Sequence, residues 1–371
     1  MSIRIPFNDF VADSKLYKQD YFDAFTRVLD SGWFILGSEV KSFEQEFSDY
    51  LNVKHVIGVA NGLEALQISL MALGVSSGDE VITTPLSAVA TTLSILAVGA
   101  TPVFVDIDAS GQLDVSQIQA AINGKTKIIL PVDLYGSCPD YDAVNTLASS
   151  RGLVVLEDAC QAHGSTYKEQ KLGTLGTLGC FSFYPTKNIG ALGDGGAIAT
   201  SDEILASACR KIRDYGQSSK YQHELYGLNS RLDELQAAFL RLKLARLDAE
   251  NKVRTKLARY YQQQLSSLPD VTIVTPAAGN LSNYHLFVIR TKNRDQLQQY
   301  LTTRGITTAI HFPTLIPEQP FLKHLSTRSL PNASKFVSEI LSLPLHPHLS
   351  LTAIDYICNS IREFFSTTID S

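Results

Sequence analysis

Two reactive groups stand at matching places along this chain. The apolar run Leu153-Val154-Val155-Leu156 ends in Glu157-Asp158. The next, Cys180-Phe181-Ser182-Phe183, leads into Tyr184-Pro185-Thr186-Lys187-Asn188. An amine and a carboxylate delivered by neighbouring strands suit imine chemistry. The amine condenses with an aldehyde and then carries a proton between carbons, while the carboxylate keeps a ring nitrogen protonated so that the ring withdraws electrons. Pyridoxal 5′-phosphate (PLP) needs such a pair, with Lys187 as its anchor and Asp158 as its ring partner. Behind the lysine, Gly190-Ala191-Leu192-Gly193-Asp194-Gly195-Gly196 suits a tight turn beside a ligand. A phosphate finds donors where Asn61-Gly62-Leu63-Glu64-Ala65-Leu66 leaves a strand and opens a helix, because N–H groups are free and the dipole is positive there. Ser182 adds a hydroxyl. Taken singly each piece is ordinary: a lysine is usually a solvated charge, a strand-end aspartate a cap, a histidine such as His163 a core group. Their order carries the information.

Positioning these groups takes a sheet. Strands are expected at 55–59, 80–84, 102–106, 128–132, 153–158, 180–183 and 196–200. Several are apolar at every position, as in a mainly parallel sheet covered on both faces. Helices fit between them: Gly62 to Leu73, where Leu63, Leu66, Leu70 and Leu73 recur three and four apart before Gly74, then Val115 to Ile122 and Tyr141 to Ser149. This alternation predicts an α/β doubly wound core. One long helix is expected over Leu232 to Leu265. Beyond it, strands at 271–274, 285–289 and 307–310 and helices at 295–304 and 351–365 read as a small α+β domain. We place the division at 1–245 and 246–371. In open α/β sheets, ligands bind beyond the carboxyl ends of the strands, where Asp158 and Lys187 fall.

The bulk properties narrow the partners. The chain has 371 residues, 44% hydrophobic and 19% charged, with a net charge of −5 and no basic block. That is soluble globular composition with no footprint for nucleic acid. No apolar run is long enough to span a membrane, and Met1 to Asp9 has no signal-peptide core. Five cysteines without paired spacing suit free thiols in a reducing cytoplasm, and no metal site is expected.

The motifs already quoted, together with Ala159-Cys160-Gln161-Ala162-His163-Gly164, Asn229-Ser230-Arg231-Leu232-Asp233-Glu234-Leu235-Gln236-Ala237, Ser31-Gly32-Trp33-Phe34-Ile35-Leu36-Gly37 and Leu343-Pro344-Leu345-His346-Pro347, closely resemble the DegT/DnrJ/EryC1/StrS family of PLP-dependent sugar aminotransferases. The likeness runs from about Phe7 to the final helix. It implies PLP fold type I, aspartate-aminotransferase-like, with a seven-stranded sheet and a homodimer whose active sites lie at the subunit interface. Carried over, Lys187 is the Schiff-base lysine and Asp158 meets the pyridine nitrogen. Gln161 lies by the ring, Ser182 and the backbone at Gly62 and Leu63 hold the phosphate, and Asn229 reaches the phosphate from the partner subunit. Tyr184, Lys220 and His311 are the candidates for nucleotide-sugar contacts.

The implied reaction moves an amino group from L-glutamate to a nucleotide-linked keto-sugar. The phosphate junction and Tyr221 to Gln236 favour C-3 of a dTDP-3-keto-6-deoxyhexose. The alternatives are C-4 amination of a dTDP- or UDP-4-keto-hexose, a sugar dehydratase (in which histidine replaces the lysine) and a non-enzymatic regulator. Three departures from the family pattern stand out. No aromatic occurs in Pro85-Leu86-Ser87-Ala88-Val89-Ala90-Thr91, where relatives carry one near Ala88 to stack on the ring. Asp133 replaces a histidine, and a second histidine is missing before Gln319-Pro320.

Overall fold

The computed structural model describes residues 4–325 and 328–369, so Met1, Ser2 and Ile3 lie outside it. Its centre is a seven-stranded sheet in the order His55–Val59, Gly196–Thr200, Leu178–Ser182, Val154–Asp158, Thr126–Leu130, Glu80–Thr83, Thr101–Phe104. Gly196–Thr200 is antiparallel to both neighbours, and the other six strands share one direction.

Successive residues of one strand enter different cores. Ile57, Val81, Ile128, Leu156, Cys180 and Ile198 join Ala65, Leu66 and Ile68 of the helix Gly62–Ala72. Val56, Ile82, Ile129, Val155, Phe181 and Ala197 join Phe43 and Phe47 of the helix Ser38–Leu51 and Leu240 of the helix Glu234–Leu244. Both faces are covered, which is why these runs carry no polar alternation.

A third core gathers Leu257, Tyr261, Phe287, Leu341, Ile354 and Ile361 around the three-stranded sheet Thr272–Ile273, Phe287–Arg290, Ile340–Leu343. The chain's start crosses to it: Ile5 is buried in this core and bridges Ile306. A second long-range tie begins the helix Ser38–Leu51. Its opening N–H groups have no partner within the helix, and the buried Glu234 carboxylate accepts from Gly37, Glu39 and Val40 at 2.8–2.9 Å.

Two expected elements differ. The single helix over 232–265 is two, Glu234–Leu244 and Leu247–Leu265. Leu244 and Leu247 stay in the core under the large sheet, while Leu257 and Leu265 belong to the third core, so the axis is interrupted to re-aim the apolar stripe. The strand expected over 307–310 is only a bridge from Ala309 to Ser342, because Ile306 is taken by Ile5. Its place beside Phe287–Arg290 is filled by Ile340–Leu343, after the helix Pro331–Glu339. Among the described residues no helix is long and apolar enough to cross a membrane, and no His/Cys/Asp/Glu cluster is arranged to hold a metal. All five cysteines are free.

Candidate active site

The shared strand direction brings one set of polar groups to one edge. Asp158 and Ser182 are the last residues of their strands, and Gly62 opens the helix that follows His55–Val59. Gly196, the first residue of the antiparallel strand, returns to the same edge opposite Ser182 and Val59. Here a cavity of about 640 Å³ opens, lined by Gly62, Leu63, Gln161, Ser182, Tyr184 and Lys187 together with His285 and His311.

Asp158 is buried and held at both oxygens: Thr91 Oγ1 donates to Oδ2 at 2.8 Å and the Cys160 N–H to Oδ1 at 3.2 Å. Lys187 turns back through an N–H bond to the Tyr184 carbonyl, and among the described residues its Nζ has no hydrogen bond or ion pair. Desolvation pushes the Lys187 amine down, opposed in part by Cys160 and Asp158, and this enlarges the neutral, nucleophilic fraction. Gln161 is oriented from behind, since Tyr135 N–H donates to its Oε1 at 2.8 Å and leaves its amide NH₂ for the cavity. His311 Nδ1 meets Ser342 Oγ at 2.9 Å, and burial lowers its pKa to about 4.

The phosphate junction is built as a cradle. Asn61 caps the helix by accepting from Glu64 N–H at 2.9 Å, which leaves the Gly62 and Leu63 amides at the positive helix end. A Cβ on Gly62 would lie 2.7 Å from Ser182 Cβ and 2.9 Å from Cys160 Sγ. The backbone therefore comes as close to Ser182 as a glycine permits.

The DegT/DnrJ/EryC1/StrS aminotransferase family model matches residues 16–362. The chain belongs to that family. The aminotransferase is 43% identical over 318 residues to the dTDP-3-amino-3,4,6-trideoxy-alpha-D-glucose transaminase of Streptomyces venezuelae, covering 85% of this chain and 84% of the relative. It is 45% identical over 306 residues to the UDP-2-acetamido-2-deoxy-3-oxo-D-glucuronate aminotransferase of Pseudomonas aeruginosa, covering 81% and 84%. The crystal structure of S. venezuelae DesV superposes with a TM-score of 0.95 at 42% identity, covering 97% of this chain and 98% of that one.

PLP is the cofactor of this family, and the donor set fits it. The Gly62 and Leu63 amides and Ser182 suit the phosphate, Asp158 a protonated ring nitrogen, and the unpaired Lys187 amine an aldehyde. When bound, the cofactor would supply the electron sink, and these are the residues whose chemistry suits holding it and carrying the proton.

Not every expected residue reaches this cavity. Asn229 is exposed, bridges Asp214 in backbone pairing and does not line the cavity that holds its own chain's lysine. Lys220 is exposed in the turn after Gln217–Ser219, its Nζ 5.3 Å from the Tyr221 ring centroid. Ala88 does line the cavity where an aromatic was sought. Two residues are not singled out by the sequence: Thr91, which supports Asp158 from behind the cavity, and His285, which lines it. Their signals were a hydroxyl one helical turn after Ala88 and a histidine heading an apolar strand.

Proposed function

We propose that this aminotransferase moves an amino group from L-glutamate to C-3 of a dTDP-linked 3-keto-6-deoxyhexose. The observation that carries the reading is the unpaired Lys187 amine at the same sheet edge as the doubly held Asp158, beside the Gly62–Ser182 cradle. Lys187 serves as the proton carrier in both half-reactions. Its presence argues against a dehydratase and a non-enzymatic role. The relatives named for position 3 favour C-3 over C-4, and Tyr184 and His311 are the contacts proposed for the sugar nucleotide.

The working unit we infer is a cytoplasmic homodimer with shared sites. Phe22, Leu29, Trp33, Phe34 and Tyr226 are large hydrophobic side chains about half exposed or more, and a partner subunit covering them would remove that surface from water. Asn229 and Lys220, which do not line their own chain's cavity, are proposed to serve the partner's. The test is a panel of dTDP- and UDP-linked 3-keto and 4-keto sugars with glutamate. Amination of the dTDP-3-keto sugar is expected; turnover of 4-keto sugars alone rejects the C-3 reading.

A further inference from the structure

Behind the cavity-lining His285 runs a chain of buried amides whose orientation is fixed. Asn251 Nδ2 donates to the His163 carbonyl at 2.9 Å, so its Oδ1 is the acceptor for Asn188 Nδ2 at 2.8 Å. Asn188 Nδ2 also donates to the Asn283 carbonyl at 3.1 Å, a backbone group that can only accept. Asn188 therefore turns Oδ1 towards His285, whose Nδ1 lies 3.2 Å away. A carboxamide oxygen accepts only, so His285 carries its proton on Nδ1. Asn283, which donates to the Gln161 and His163 carbonyls and accepts from the His285 N–H at 2.9 Å, locks the same corner. Burial and the nearby Lys187 keep the imidazole neutral. Nε2 is left as a lone pair with no partner among the described residues, on a residue that lines the cavity.

The wall is otherwise rich in donors. The Gly62 and Leu63 amides, Ser182, the Gln161 amide and Lys187 all offer hydrogens, as an anionic cofactor requires. Asp158 is the acceptor assigned to the ring, and Asp194 is an acceptor at the exposed rim. A sugar brings hydroxyl donors, and His285 is a cavity-lining residue with an acceptor nitrogen outside the set assigned to the cofactor.

We propose that His285 is a specificity-determining residue that accepts a hydrogen bond from a hydroxyl of the sugar, held in its acceptor form by Asn188. The proposal rests on the nucleotide-sugar reading above. It makes His285 selective for a hydroxyl over a carbonyl oxygen at the carbon it faces.

The two half-reactions separate this role from others. For His285→Phe holoenzyme, the KM for the keto-sugar nucleotide is expected to rise about tenfold, the worth of one hydrogen bond, while the glutamate half-reaction and the cofactor's visible band stay as in wild type. An unchanged sugar KM, or equal losses in both half-reactions, overturns it. His285→Gln, which retains an acceptor oxygen, is expected to recover part of the loss. ¹⁵N-histidine NMR of the wild-type holoenzyme is a readout independent of turnover. An Nδ1–H tautomer whose Nε2 signal shifts on adding dTDP-glucose supports the proposal, and a protonated Nε2 overturns it. A wild type that aminates no nucleotide sugar yet shows that tautomer and shift counts against the proposed reaction and not against the acceptor role.

Discussion

Thr91 donates its hydroxyl to Asp158 at 2.8 Å, and Ser87 Oγ lies 2.9 Å from the same Thr91 oxygen. The carboxylate proposed to meet the cofactor ring is thus supported from the helix Val89–Ala97, which follows the strand Glu80–Thr83. A hydrogen bond to a charged group contributes about 1.5–3 kcal/mol. Thr91→Val, nearly the same shape, is expected to weaken PLP retention at least tenfold and to slow both half-reactions. Spectral titration of the apoenzyme with PLP reads the first, and stopped-flow mixing with glutamate the second.

Gly62→Ala places a methyl against Ser182 and Cys160. Relieving that crowding by shifting the backbone costs about 1–3 kcal/mol and moves the amides proposed for the phosphate. PLP affinity is expected to fall more than thermal stability does. Comparing the melting temperature of the apo variant with its PLP titration separates the two.

Asp133 gives a pH-dependent prediction. Burial, with the adjacent Glu157, holds its carboxyl well above the ordinary range. Glu157 is raised by burial too, but it accepts the N–H groups of Gly173, Leu175 and Gly176, so it is the partner placed to carry the charge. Tyr141 OH donates to Asp133 Oδ1 at 3.0 Å, and Oδ2 has no other partner. A raised acid makes the folded state the tighter proton binder. Its stabilisation is full below the unfolded carboxyl pKa of ~4 and is lost as pH rises towards the folded value. Asp133→Asn keeps the shape without the ionisation. It is expected to match wild type near pH 4 and to melt about 2 °C or more higher at pH 8, read by differential scanning fluorimetry across pH. A gap that shrinks as pH rises refutes the shared-proton arrangement.

Mixing inactive protomers tests the shared site. Lys187→Ala is expected to lose roughly 10²–10⁴ of activity with its proton carrier, along with the band near ~420 nm and borohydride-stable capture of the cofactor. Asn229→Ala is expected to lose phosphate binding. If Asn229 serves the partner, a dimer hybridised from the two variants holds one intact site, and activity returns on mixing. No recovery places Asn229 outside the partner's site.

The large sheet was legible because burial on both faces leaves strands such as Ile128 to Val132 without polar interruption, and that signal needs no tertiary context. Lys187 and Asp158 were legible because they sit just past such runs. The break after Leu244 was not, since good helix formers continue through it and only the division between two cores interrupts them. Ile340–Leu343 was too short to announce itself. Thr91 is silent in the sequence because a hydroxyl gains meaning only from the Asp158 carboxylate that folding brings beside it. His285 was read as the head of an apolar strand. Its meaning lies in Asn188 and Asn251, far off in sequence and adjacent only once folded.

The bond network at Glu234 also bears on how the chain is made. The amides of Gly37, Glu39 and Val40 wait for a carboxylate almost two hundred positions downstream, and Ile5 waits longer for Ile306. During synthesis, the amino-terminal helices leave the ribosome well before the groups that complete them. Such high contact order makes for slow assembly with apolar surface transiently in water. A nascent chain arrested before Glu234 emerges therefore resembles a chaperone client more than a folded intermediate, and the enzyme closes at its beginning only when its end has arrived.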